Sequence, residues 1–143
     1  MHKHSEYLNR ILLSRVYDVA VETPLEEAKT LSRRLGNRIL LKREDYQPVF
    51  SFKLRGAYNK MARLSPEDLR RGVIAASAGN HAQGVAYAAR ERGAKATICM
   101  PQITPPLKVD ATKAYGADVV LYGDVFDESA AHAAELADKE GMI

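Results

Sequence analysis

The sequence predicts an α/β fold, a parallel sheet with flanking helices. Three observations carry that expectation. From Gly72 onward, short apolar runs alternate with stretches of helical spacing: strand, helix, strand, helix, strand, helix. The punctuation agrees, with Gly93 and Gly116 closing helical stretches and Pro101 stopping an apolar run. The chain has 143 residues, 46% hydrophobic and 27% charged, a globular balance that suits about one domain.

The elements follow in order. Ser5 to Arg15 reads as an amphipathic helix with Tyr7, Leu8, Ile11 and Leu12 on one face. Thr23-Pro24 is expected to open a second helix, with Thr23 as N-cap and Pro24 in the first position. Leu25, Ala28, Leu31 and Leu35 would line its inner side, and Gly36-Asn37 would end it. Arg38 to Lys42 is an apolar run expected to form a buried strand, followed by a polar loop from Glu44 to Phe50. After Ser51, helical spacing places Leu54, Ala57, Tyr58 and Met61 on one face. Ser65-Pro66-Glu67-Asp68 has the form of a capped helix start.

In the second half, Gly72–Ala76, Lys95–Met100 and Asp118–Tyr122 are the expected strands. Asn80–Arg92, Pro106–Tyr115 and Asp124–Glu140 are the expected helices. Ala82, Val85, Ala86 and Ala89 should face inward in the first of these, and Phe126, Ala130, Ala133 and Ala137 in the last. The sequence reaches Gly141-Met142-Ile143 where the alternation leads to another strand, so the chain reads as cut short.

Composition excludes several classes. A net charge of +3, with both signs interspersed, gives no basic stripe for nucleic acid. One cysteine, Cys99, allows neither an internal disulfide nor a Cys-x-x-Cys metal site, and it is expected to be a small buried residue in a reducing compartment. No run of about 18 apolar residues spans a membrane. The first residues lack the apolar core of a signal peptide, so the cytoplasm is the expected location. His2 and His4 have no acidic or cysteine neighbour and are read as terminal residues, not metal ligands.

Two turns carry the chemistry. Ser77-Ala78-Gly79-Asn80-His81-Ala82-Gln83-Gly84 follows a strand and opens a helix. Small residues let a backbone approach a ligand closely, and the free N–H groups of the helix start favour an anionic group. Taken locally, Ser77 and Asn80 serve equally well as ordinary caps. Gly79 and Gly84 have P-loop spacing, but Val85-Ala86 follows where that motif needs Lys-Ser/Thr, and no Gly-x-Gly-x-x-Gly occurs. The second segment is Ser51-Phe52-Lys53-Leu54-Arg55-Gly56-Ala57. Lys53 at a helix start faces the positive end of the dipole, which favours the neutral amine that Schiff-base chemistry needs. Alone, such a lysine is an ordinary solvated charge.

Together, Lys42-Arg43-Glu44-Asp45 through Ala57 and Ser77 through Gly84 resemble the two signatures of the serine and threonine dehydratases, a family of pyridoxal-phosphate enzymes. The likeness extends from Tyr17 and Thr23-Pro24-Leu25 through Met100-Pro101 and Lys108-Val109-Asp110 to Phe126-Asp127-Glu128, and is nearest to the biosynthetic threonine dehydratases. The resemblance implies a tryptophan-synthase-β-like fold (fold type II) with two α/β domains. Residues 1–52 would belong to the larger domain and residues 53–143 to most of the smaller one. It implies pyridoxal 5'-phosphate as cofactor, held covalently by Lys53, with Phe52 packed on its ring and Asn80 bonded to the ring hydroxyl. Ser77, Ala78, Gly79, Asn80 and His81 would receive the substrate carboxylate. The implied reaction is loss of water and ammonia from L-threonine to give 2-oxobutanoate, in isoleucine synthesis, with Lys53 as the base. His81 is read as a polar contact, because Lys53 already accounts for the proton transfer.

The implied partners are an amino-acid substrate and further copies of the full enzyme, without nucleic acid or membrane. The family's glycine-rich phosphate loop, its partner for the pyridine nitrogen and its regulatory domain have no counterpart in these residues, so weak or no cofactor binding and no useful turnover are expected of the chain alone. Other readings are serine dehydratase, serine racemase, threonine synthase or cysteine synthase chemistry, or a non-catalytic association module built on an open sheet edge.

Overall fold

The computed structural model describes residues 2–143, with side chains described from Glu6 onward. The metal reading of His2 and His4 therefore lies outside the described side chains. The helices are α1 (His2–Leu12), α2 (Lys29–Leu35), α3 (Lys53–Met61), α4 (Pro66–Arg71), α5 (Asn80–Glu91), α6 (Pro106–Ala114) and α7 (Phe126–Glu140). The strands are β1 (Leu25–Glu27), β2 (Leu40–Lys42), β3 (Val73–Ala76), β4 (Ala96–Met100) and β5 (Asp118–Leu121).

Strands β3, β4 and β5 form the expected parallel sheet in that spatial order, with Val73 opposite Ala96 and Thr97 opposite Asp118. The central strand β4 buries Ala96, Ile98, Cys99 and Met100, as a strand covered on both faces must. Helix α5 supplies one cover through Ala82, Val85, Ala86, Ala88 and Ala89. Helices α5 and α7 both pack on β3 and β4 without packing extensively on each other, as helices on opposite faces do. Helix α3 packs on α5 through Leu54, Ala57, Tyr58 and Met61, all buried as the periodicity requires. Ser65 caps α4 in the expected capping box with Asp68. Ile143 donates to the Gly72 carbonyl and accepts from the Ile74 amide, which sets it in ladder register beside β3.

The first half departs from expectation. Leu25–Glu27 is a strand, antiparallel to Leu40–Lys42, and not the start of a helix. The Thr23 hydroxyl donates to Glu44 instead of capping, and the Pro24 carbonyl accepts from the Arg43 amide, which draws the run into a ladder. The helix begins only at Lys29, though Gly36 ends it in the left-handed conformation as expected. The run at Leu40–Lys42 is a strand but an exposed one, because the two-stranded ribbon is a separate sheet with Leu25, Leu40 and Leu41 uncovered. Phe126 is also exposed. The covered stretch of α7 begins a turn later, at Ser129 and Ala133, with the Ser129 hydroxyl bonded to the Tyr122 carbonyl.

Candidate functional site

Lys53 is the first residue of α3, and the loop before it is held from several sides. Glu44–Tyr46 forms a 3-10 turn. The buried Gln47 side chain pairs with the Val21 backbone in both directions, accepting from its N–H at 3.0 Å and donating to its carbonyl at 2.9 Å. Tyr115, at the end of α6, donates its hydroxyl to the Pro48 carbonyl at 2.8 Å. Phe50 then takes φ +54°, a left-handed conformation that costs a side-chain-bearing residue on the order of 1 kcal/mol. The kink turns Ser51 inward, where its hydroxyl accepts from the Lys53 amide at 3.2 Å. Leu54, fully buried, fixes the first turn of α3 in the core. Phe52 and Lys53 are left exposed side by side, with the Lys53 ammonium 5.2 Å from the Phe52 ring centroid.

The second turn follows β3. The Ser77 amide donates to the Cys99 carbonyl at 3.0 Å, extending the ladder by one residue. The Gly79 amide reaches the Ser77 hydroxyl at 3.4 Å, and α5 starts at Asn80. No side chain caps this helix start. The uncapped N–H groups and the dipole leave it suited to an anion. Asn80 and His81 are exposed, and Ser77, Ala78 and Gly79 are half-buried.

One cleft brings the two segments together. Phe52, Lys53, Arg55, Gly56, Ala57 and His81 line it. Asn80 and the turn at Ser77–Gly79 stand at the neighbouring strand end and do not line that cleft. His81 protonates less readily than an ordinary histidine, first because its imidazole is partly desolvated and second because the Lys53 charge is near. Buried Cys99 matches its expected role, with burial pushing its thiol up.

Sequence reasoning named Gly84 within the second motif but missed its packing role. It lies inside α5 and is buried against α3, where a Cβ would fall 3.1 Å from the Lys53 carbonyl carbon and 3.2 Å from the Leu54 nitrogen. The available signal was a glycine inside a helical pattern, which costs about 1 kcal/mol against alanine and asks for a packing reason. Among the described residues, no cluster of His, Cys, Asp and Glu could hold a metal, and no helix is long and apolar enough to cross a membrane.

The family model for pyridoxal-phosphate dependent enzymes matches residues 16–143. Threonine dehydratase 2, biosynthetic and chloroplastic, of Solanum lycopersicum is 60% identical over 137 residues, which are 96% of this chain and 23% of that protein. The biosynthetic L-threonine dehydratase of Pasteurella multocida is 57% identical over 138 residues, 96% of this chain and 27% of that protein. The chain thus spans about a quarter of the length of the curated relatives it matches. The processed form of threonine deaminase isoform 2 from Solanum lycopersicum superposes with a TM-score of 0.92 at 59% identity, covering 96% of this chain and 38% of that one. Maize serine racemase superposes with a TM-score of 0.88 at 27% identity, over 97% of this chain and 42% of that one.

Proposed function

The chain belongs to the family of pyridoxal-phosphate dependent enzymes, and from that premise we propose that it carries the lysine-bearing part of a threonine dehydratase, which converts L-threonine to 2-oxobutanoate and ammonia in isoleucine synthesis. The observation that carries the reading is the single cleft in which Lys53, Phe52 and His81 meet beside an uncapped helix start.

These residues fit the cofactor. An exposed primary amine suits an aldehyde, and an exposed aromatic ring beside it offers a face to a flat pyridine. Asn80 offers an amide donor for the ring hydroxyl. When bound, pyridoxal phosphate supplies an electron sink that makes the substrate's Cα–H acidic. The chain's own residues do the rest. The Lys53 Nζ holds the cofactor and then takes the α-proton. The Ser77 hydroxyl and the N–H groups of Ala78 to His81 hold the substrate carboxylate at the positive end of α5. His81, which protonates less readily than an ordinary histidine because it is partly desolvated and lies near the Lys53 charge, contributes a hydrogen bond.

The proposal extends to the assignments around the site. Residues 1–52 would join the larger domain and residues 53–143 the smaller, in a homo-oligomeric enzyme. The proposed location is the cytoplasm, while the plant relatives' names say chloroplastic.

The test is a chimera in which these 143 residues replace the matching segment of the tomato enzyme. Deamination of L-threonine should persist and should fall by at least about a thousandfold with Lys53→Ala, the scale of losing both the attachment point and the base. Undiminished turnover in that variant, or racemisation of serine without threonine deamination, would overturn the proposal.

A further inference from the structure

We propose that Gly84 is a positioning residue for Lys53: its missing side chain sets how closely α5 approaches the first peptide of α3, and so holds the Lys53 amine beside His81.

The reason for glycine here is space, not conformation. Gly84 is not among the glycines with positive φ, and it lies in the interior of a twelve-residue helix, where alanine is intrinsically better. A Cβ would meet the Lys53 carbonyl carbon at 3.1 Å, the Leu54 nitrogen at 3.2 Å and the Lys53 carbonyl oxygen at 3.2 Å. All three are backbone atoms, so no rotamer change relieves the contact. The other site glycines behave differently. Gly56 in the cleft and Gly79 in the turn have nothing within 4 Å of an added Cβ.

The peptide that would be struck is also clamped. Its amide side leads into fully buried Leu54, the Lys53 amide is held by Ser51, and Arg55 is locked to Glu44. A methyl at Gly84 therefore acts as a wedge at the Lys53 backbone and swings the side chain that projects from it. Interiors are packed closely enough that one added carbon forces such a shift. The catalytic consequence rests on the role proposed for Lys53; the geometric one does not.

Two measurements separate these. In the 143-residue chain, the His81 imidazole is titrated by NMR in four forms: unmodified, Lys53→Met, Gly84→Ala and the double variant. Lys53→Met should raise the His81 pKa by removing a nearby positive charge. With Gly84→Ala present, that increment should shrink measurably, since the interaction falls with distance. Equal increments in both backgrounds would overturn the positioning role. In the tomato chimera, Gly84→Ala should lower kcat about tenfold or more with KM for threonine changed less than about threefold. A shrunken increment with unchanged kcat supports the contact and overturns its catalytic consequence, while Lys53→Ala separately tests the role of Lys53. Should Gly84→Ala not fold, the unmodified chain decides: a nuclear Overhauser contact between the Gly84 Hα and the Leu54 amide proton is expected, and its absence overturns the proposal.

Discussion

The Arg55 guanidinium grips the Glu44 carboxylate fork to fork, Nε to Oε2 at 2.8 Å and Nη2 to Oε1 at 3.0 Å. Glu44 opens the loop that leads to Lys53, and Arg55 lies two residues beyond Lys53, so the pair ties together the two ends of the segment that carries the exposed amine. Thr23 donates to the same carboxylate at 2.6 Å, and Lys42 donates to the Thr23 carbonyl. One carboxylate thus gathers three separated stretches of chain.

That pair predicts a pH dependence. Arg55, then Thr23 and Gln47, pull the Glu44 carboxyl down to about 2 from 4.5, against the opposing effect of its burial. A carboxyl depressed on folding stabilises the fold above its unfolded value and loses that contribution as pH falls from about 4.5 toward 2. Glu44→Gln should cost about 1–3 kcal/mol at pH 7. Thermal midpoints of the two proteins should converge between pH 4.5 and 2. A gap that stays constant over that window would contradict the assignment.

Ser65 caps α4 by accepting from the Asp68 amide at 3.1 Å, and the Asp68 carboxylate accepts from the Ser65 amide at 3.2 Å. Ser65→Ala should lower stability by about 1 kcal/mol. Ser65→Asn, which retains a side-chain acceptor, should recover most of it in urea unfolding.

Tyr115→Phe removes the tether to the Pro48 carbonyl while keeping the edge-on contact with Tyr87. Hydrogen exchange should quicken at the Phe50 amide, which bonds the Gln47 carbonyl, by about tenfold. Exchange in β4 should not change, which distinguishes a loosened loop from a destabilised fold.

Cys99 is fully buried and its thiol is raised by burial. Alkylation of the native chain at pH 8 should run slower by about two orders of magnitude than after denaturation, since reaction awaits opening. Labelling at equal rates would place Cys99 outside the core.

Phe52 and Asn80 carry the proposed cofactor contacts. In the tomato chimera, Phe52→Ala and Asn80→Ala should each weaken pyridoxal-phosphate retention about tenfold, equivalent to about 1.4 kcal/mol. Retention unchanged in both would move the cofactor away from these residues.

The sequence by itself determined the second half of this protein. From Gly72 the apolar periods are local, and residues they mark, such as Val85, Ala89 and Ile98, are buried in the elements they predict, while Phe126 at the start of α7 stays exposed. Two motifs also singled out Lys53 and the Ser77–His81 turn. The first half was less legible. Leu25 and its neighbours fit a helical period, but pairing with Leu40–Lys42, fixed by Thr23 with Glu44 and Pro24 with Arg43, made them a strand. Such long-range pairing overrides weak local preference. Tertiary structure alone decided that Lys53 and His81 share a cleft. Their elements are separated by α4 and β3, and α5 meets the first peptide of α3 at Gly84, where an added Cβ would crowd the Lys53 carbonyl. Periodicity marks which face of a helix is buried; only packing fixes which neighbour it meets and at what distance.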